Sequence, residues 1–276
     1  MNITSQAVLY RDGETELSGS LFLDESLRQR RPGLLVVHGG AGLDDHAKSR
    51  ARGFAEQGYV ALACDMYGAG VVEGGRSRIM PLILQLCAEP IKLRQRAEAG
   101  LEVLREHPLV DRSRVAAIGY CFGGMTALEL ARAGADLAAV ISVHGSLQPA
   151  HVIAQTHAPK PAGAESASAR PSSGSGSSAT GPDVQGASQP QISARVLVCH
   201  GALDPHVPMA HVTGFAGEMA TAQADWQLII YGDALHGFTH ENPSSTPGVA
   251  YHPQADARSS AHIRSFLADV FRPSAS

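Results

Sequence analysis

The chain is expected to be an α/β protein with a mostly parallel central sheet, helices on both faces and an antiparallel hairpin at one edge. Two observations carry this. Short apolar runs alternate with longer amphipathic stretches along most of the 276 residues. The apolar runs are also continuous rather than alternating, as strands buried on both faces require. Strand–helix alternation builds right-handed βαβ units and hence a parallel sheet.

The N-terminal residues stand apart from that rhythm. Residues 7–10 and 17–23, joined by the turn residues Asp12 and Gly13, predict a hairpin. Residues 34–37, 60–63, 115–118, 138–143, 196–198 and 228–231 then read as short, doubly buried strands. Helices are expected at 47–57, 81–106 (broken at Pro90), 125–133, 209–220 and 256–271. Between 161 and 190 the composition changes. Only six of these thirty residues are not Ala, Gly, Ser, Thr or Pro, and Val184 is the sole large apolar side chain. Such a tract buries too little area to offset its ordering entropy, so a disordered surface insertion is expected. A linker between two domains is the rival reading. It fails because the residues beyond the tract continue the same pattern of strands, loops and helices. The expectation is one domain over 1–276 carrying an insertion.

Bulk composition narrows the function classes. A hydrophobic fraction of 44% with 17% charged residues suits a globular chain with a sizeable core. A net charge of -4 without a basic patch speaks against nucleic acid and anionic membranes as partners. No window approaches the ~18 apolar residues of a membrane span. Residues 1–10 lack the charged and apolar segments of a signal peptide, so a cytoplasmic location is expected. The four cysteines, Cys64, Cys87, Cys121 and Cys199, form no CxxC pair, which argues against a zinc ribbon or a dithiol redox motif.

The most informative local signal is Gly119-Tyr120-Cys121-Phe122-Gly123, followed by Gly124. It lies between a predicted strand and a helix expected to begin near Met125. That is the context of a nucleophile elbow, with Cys in the place of the more usual Ser. Side chains at positions 119 and 123 would collide with the neighbouring strand and helix. The helix N-terminus favours a thiolate at Cys121. The bland alternative is a glycine-rich turn with a buried cysteine. Two further segments weigh against it. Asp204 follows the strand at 196–198, and His236 lies on the loop after the strand at 228–231. Open parallel sheets gather reactive groups at that edge, and the order Cys121, Asp204, His236 matches nucleophile, acid and base in this kind of site. Asp233 is the rival acid, but it sits beside His236 and reads as a turn residue. Oxyanion donors are expected from the Phe122 amide and from an amide of Gly39, Gly40 or Ala41 in the loop after the first central strand. His38 reads as a structural strand-end residue. His236 and His240, an i, i+4 pair, fall in a loop, so no metal site is expected.

These motifs give the chain a family resemblance. It resembles the dienelactone hydrolases from about Arg11 to Phe271, on Val36-Val37-His38-Gly39-Gly40, Gln57-Gly58-Tyr59-Val60-Ala61, Asp65-Met66-Tyr67-Gly68, the Gly-Tyr-Cys-Phe-Gly-Gly run, Asp204-Pro205-His206-Val207-Pro208 and His236-Gly237-Phe238. The resemblance implies an α/β-hydrolase fold, a Cys121/His236/Asp204 triad and no cofactor. Two departures bear on substrate. The loop 38–42 lacks the family's activating Glu, and the family's carboxylate-gripping Arg is replaced by His240. A small neutral ester or lactone is therefore the expected substrate, hydrolysed by a monomer or small homo-oligomer. The alternatives are a broad carboxylesterase or thioesterase, a non-catalytic binding module and a redox-sensing thiol protein.

Overall fold

The computed structural model describes residues 1–157, 191–242 and 244–272. The expected insertion at 161–190 lies outside the described residues. One eight-stranded sheet organises the fold. Its strands, in chain order, are β1 (Ile3–Asp12), β2 (Thr15–Asp24), β3 (Arg31–Val37), β4 (Val60–Cys64), β5 (Val110–Tyr120), β6 (Ala139–Val143), β7 (Arg195–Gly201) and β8 (Trp226–Tyr231). In space they lie as β1-β2-β4-β3-β5-β6-β7-β8. The hairpin pairs along its full length, from Ile3 opposite Asp24 to Asp12 opposite Thr15, and β2 joins β4 antiparallel. Every other pairing is parallel. The expected architecture is the observed one.

Helices α1 (Asp45–Glu56), α2 (Arg76–Ala88), α3 (Pro90–Glu106), α4 (Phe122–Arg132), α5 (Ala150–His157), α6 (Met209–Thr221) and α7 (Pro253–Val270) cover the two faces. Side chains alternate across β3. Leu35 and Val37 enter one core with Leu101 and Met125, while Leu34 and Val36 enter the other with Phe54 and Leu267. All four β3 residues are fully buried, and each such side chain contributes about 1.5–3 kcal/mol by leaving water. Apolar side chains fill these layers, and open parallel sheets gather reactive groups at the edge where the strands end. None of the described helices is long and apolar enough to cross a membrane.

Several boundaries differ from the sequence expectation. The helix expected over 81–106 does break at Pro90: the proline ring drives Glu89 out of the helical region, to φ -116° and ψ 69°, and then opens α3 at its first turn. Its first half starts earlier than Pro81, because one proline removes only one intrahelical hydrogen bond and α2 carries Pro81 internally. The elbow helix begins at Phe122 rather than near Met125, so Gly123 and Gly124 are helical. Helix α5 was not expected. The strand read at 228–231 is not doubly buried: β8 is the sheet edge, and Ile230 is 41% exposed.

Candidate active site

Strand β5 turns into α4 through a single residue. Cys121 holds φ 55° and ψ -114°, a backbone region that side chains rarely occupy. The surroundings leave no alternative. A Cβ at Gly119 would collide with the Gly123 carbonyl, and one at Gly123 would strike the Val37 carbonyl of β3. Thus the two glycines let the helix press against the strands, and the cost appears as strain at Cys121. The Cys121 amide is anchored on the Val143 carbonyl of β6 at 3.0 Å.

Three side chains from three loops converge there. His236 Nε2 lies 3.1 Å from Cys121 Sγ, and His236 Nδ1 lies 2.8 Å from Asp204 Oδ2. Asp204 is 4% exposed. Its other oxygen accepts the amides of His206 (2.8 Å) and Val207 (3.1 Å). The His236 loop is pinned by backbone as well: its amide donates to the Gly248 carbonyl, and the Ala250 amide donates to its own carbonyl, both at 3.1 Å. Asp233, by contrast, is exposed in the turn after β8.

The electrostatics follow from this placement. Burial alone would push the Cys121 thiol up, but His236 and the amides of Gly40 and Phe122 outweigh it and hold the thiol below its ordinary range. Burial disfavours the His236 cation, yet the Cys121 sulfur and the Asp204 carboxylate raise it well above a free imidazole. Asp204 is likewise held low: its burial is overcome by His236 and the two amides. Both directions favour a thiolate–imidazolium pair with a carboxylate behind it.

Of the three loop positions expected to supply an amide, the backbone of Gly40 is the one that helps to hold the Cys121 thiol low. Gly39 is used differently. Its carbonyl accepts the Gly42 amide at 3.1 Å and the His38 Nδ1–H at 2.7 Å. His38 Nε2 in turn accepts the Met66 amide at 3.1 Å, so the imidazole is neutral and braces the loop from inside. Ala41 is exposed at the turn's tip. Tyr67, which sequence reasoning missed, donates its hydroxyl to the Gly40 carbonyl at 3.3 Å. The next carboxylate along the loop, Asp44, caps α1 through the Ala47 amide.

His240 lies beside Gly39 and stacks on His46 with ring centroids 3.9 Å apart. Burial keeps both rings neutral. No hydrophobic period or motif in the sequence points to His144, which packs against His236 from the end of β6, or to Thr239 and His46, which continue from it by hydrogen bonds.

A mostly parallel sheet, a strained strand-to-helix elbow and a His–Asp pair at the strand ends define an α/β-hydrolase. Residues 18–271 match the model of the dienelactone hydrolase family, and the chain belongs to that family. A dienelactone hydrolase-like promiscuous phosphotriesterase from metagenomic libraries is 35% identical, with TM-score 0.81 over 98% of this chain and 99% of that one. The solved protein m3DLH is 34% identical, with TM-score 0.80 over 98% and 100% of the two chains. An uncharacterized Caenorhabditis elegans protein is 30% identical over 184 residues, 65% of this chain and 95% of its own.

Proposed function

We propose that the chain hydrolyses small neutral esters or lactones, with Cys121 as nucleophile, His236 as acid and base, and Asp204 as the residue that orients His236. The carrying observation is the 3.1 Å contact between Cys121 Sγ and His236 Nε2 beside the Gly40 and Phe122 amides. In this reading the thiolate attacks the acyl carbon, and the carbonyl oxygen gathers negative charge beside those two amides. His236 then gives its proton to the departing alkoxide as the C–O bond breaks. Water attacks the thioester with His236 taking its proton, the C–S bond breaks, and the acid leaves. No metal or cofactor enters any step.

Neutral substrates fit because His240, at the position of the family's gripping Arg, is stacked and uncharged. A second reading is favoured by one comparison. The 35% identical relative is named as a promiscuous phosphotriesterase, and a neutral phosphotriester presents the same thiolate with a tetrahedral electrophile. Steady-state rates on p-nitrophenyl esters, lactones and a neutral phosphotriester, measured for wild type and Cys121→Ala, test both readings. Turnover confined to the wild type supports them. Absence of turnover on every ester and lactone at folded wild-type protein overturns the first.

A further inference from the structure

Behind His236 lies a buried polar chain that neither the family match nor the proposed chemistry uses. His144, at the end of β6, is fully buried and has φ 41°, one of three non-glycine residues with positive φ among those described. Its Nε2 lies 2.8 Å from the Thr239 hydroxyl, which lies 3.1 Å from His46 Nε2. Arg50 Nε–H also donates to His46 Nε2, at 3.3 Å. These contacts determine where the protons sit. An arginine can only donate, so His46 Nε2 is an acceptor and takes the Thr239 O–H as well. Thr239 oxygen is then free to accept, and His144 must donate its Nε2–H. The chain runs in one direction, from His144 through Thr239 to His46.

This chain meets the reactive histidine at two points. The His144 ring packs edge to face against His236, with centroids 5.5 Å apart, and Thr239 is three residues beyond His236 on the same loop. The loop is held from outside as well, because Arg50 donates to the Thr239 carbonyl and to Asp256, both at 2.8 Å. We propose that His144 and Thr239 are positioning residues for His236, their hydrogen bond holding the imidazole in line between Asp204 and Cys121. This rests on the hydrolase reading above. It gives the non-glycine residue at positive φ at position 144 a role: the ring it carries is the wall against which His236 stands.

The charged and titratable groups facing the cluster are Arg50 from α1, Tyr120 at the end of β5, Asp256 from α7, Asp44 before α1, His240 and Glu241 on the loop, and Asp204 beyond His236. Burial first, then the neighbouring His236, His240 and His46, keeps His144 uncharged. A neutral ring can sit against an imidazolium; a second cation there would oppose it.

The test uses Thr239→Val, which keeps the shape and removes the hydroxyl, against Thr239→Ser, which restores it. Thiolate absorbance near the ultraviolet edge is titrated with pH, and iodoacetamide alkylation follows the same group. Burial pushes the thiols of Cys64, Cys87 and Cys199 up, so a titration at acid to neutral pH that Cys121→Ala abolishes belongs to Cys121. Thr239→Val is expected to move that titration, and the acid limb of kcat/KM, to higher pH by about one unit, with kcat down about tenfold and KM within about twofold. Thr239→Ser returns all of these to within about twofold of wild type. Should Thr239→Val fail to fold, Thr239→Ala, which only removes atoms, takes its place. A variant that melts lower but titrates like wild type assigns Thr239 a structural role and overturns the proposal. The thiolate readout needs no substrate, so a wild-type titration without ester turnover would sink the hydrolase reading and leave this one measurable.

Discussion

Asp204 meets His236 through one carboxylate oxygen at 2.8 Å, while the other oxygen is committed to the amides of His206 and Val207. That division of the two oxygens determines what an amide would do there. In Asp204→Asn the carbonyl oxygen must stay on the two backbone donors, so the NH₂ faces His236 Nδ1. The imidazole is forced to carry its proton on Nε2, where it can no longer accept one from the thiol. Ester turnover is expected to fall by at least about a hundredfold, short of the ~10⁴-fold of a serine triad because a thiol is the more acidic nucleophile. Asp233→Asn, at an exposed turn, is expected to stay within about twofold, as most surface substitutions do. Steady-state rates of both variants on one p-nitrophenyl ester decide the matter. Greater damage from Asp233→Asn would move the acid to that position.

Replacing Cys121 with Ala is expected to remove turnover altogether, since the other three cysteines are buried. Activity within about tenfold of wild type, a barrier change of only ~1.4 kcal/mol, would refute Cys121 as nucleophile. Mass spectrometry of wild type quenched during turnover should find the acyl group on the peptide bearing Cys121.

The pH dependence has a definite sign. The Cys121 thiol is held low, so the thiolate is lost, and activity with it, only as pH falls through that depressed value. His236 is raised to about 10, and the acid that protonates the leaving group is lost as pH rises through it. A broad plateau across neutral pH is expected for kcat/KM. In Cys121→Ser the thiolate that raised His236 is gone, and a serine needs the imidazole neutral. Residual activity of that variant should therefore rise with pH where the wild type is flat. Parallel profiles for the two proteins would contradict an ion pair.

Gly123→Ala tests the packing that strains the elbow. The added methyl meets the Val37 and His38 carbonyls, backbone at and just past the end of β3 that cannot swing aside. Overpacking of this kind costs about 1–3 kcal/mol, and Tm should fall by roughly 2–4 °C for each kcal/mol in a domain of this size. Thermal melts followed by circular dichroism read the loss directly. An unchanged Tm would mean that the helix can retreat from β3 without penalty.

The elbow, the alternation of strands and helices, and the order Cys121, Asp204, His236 were legible in the sequence because each is a local matter. Glycines at 119 and 123 bracket the turn as a pentapeptide motif, although the Val37 carbonyl that requires the second of them comes from β3, and a buried strand announces itself by a continuous apolar run. The break at Pro90 was legible for the same reason: a proline restricts the residue before it whatever the rest of the chain does. Other features had no local signature. Pro81 looked like a helix start because a proline suits the first turn, yet tertiary packing carried α2 past it; the exposure of β8 depends on which strand finds no further neighbour. The bracing of the loop at Gly39 and Gly40 comes from His38 and Tyr67, which hold it from inside and from the side. His46, His144 and Thr239 are ordinary residues in their own segments, 193 and 95 positions apart across their two hydrogen bonds. Only the closing of the sheet brings them to one point, and buried polar groups must then find partners among whatever side chains the fold has placed there.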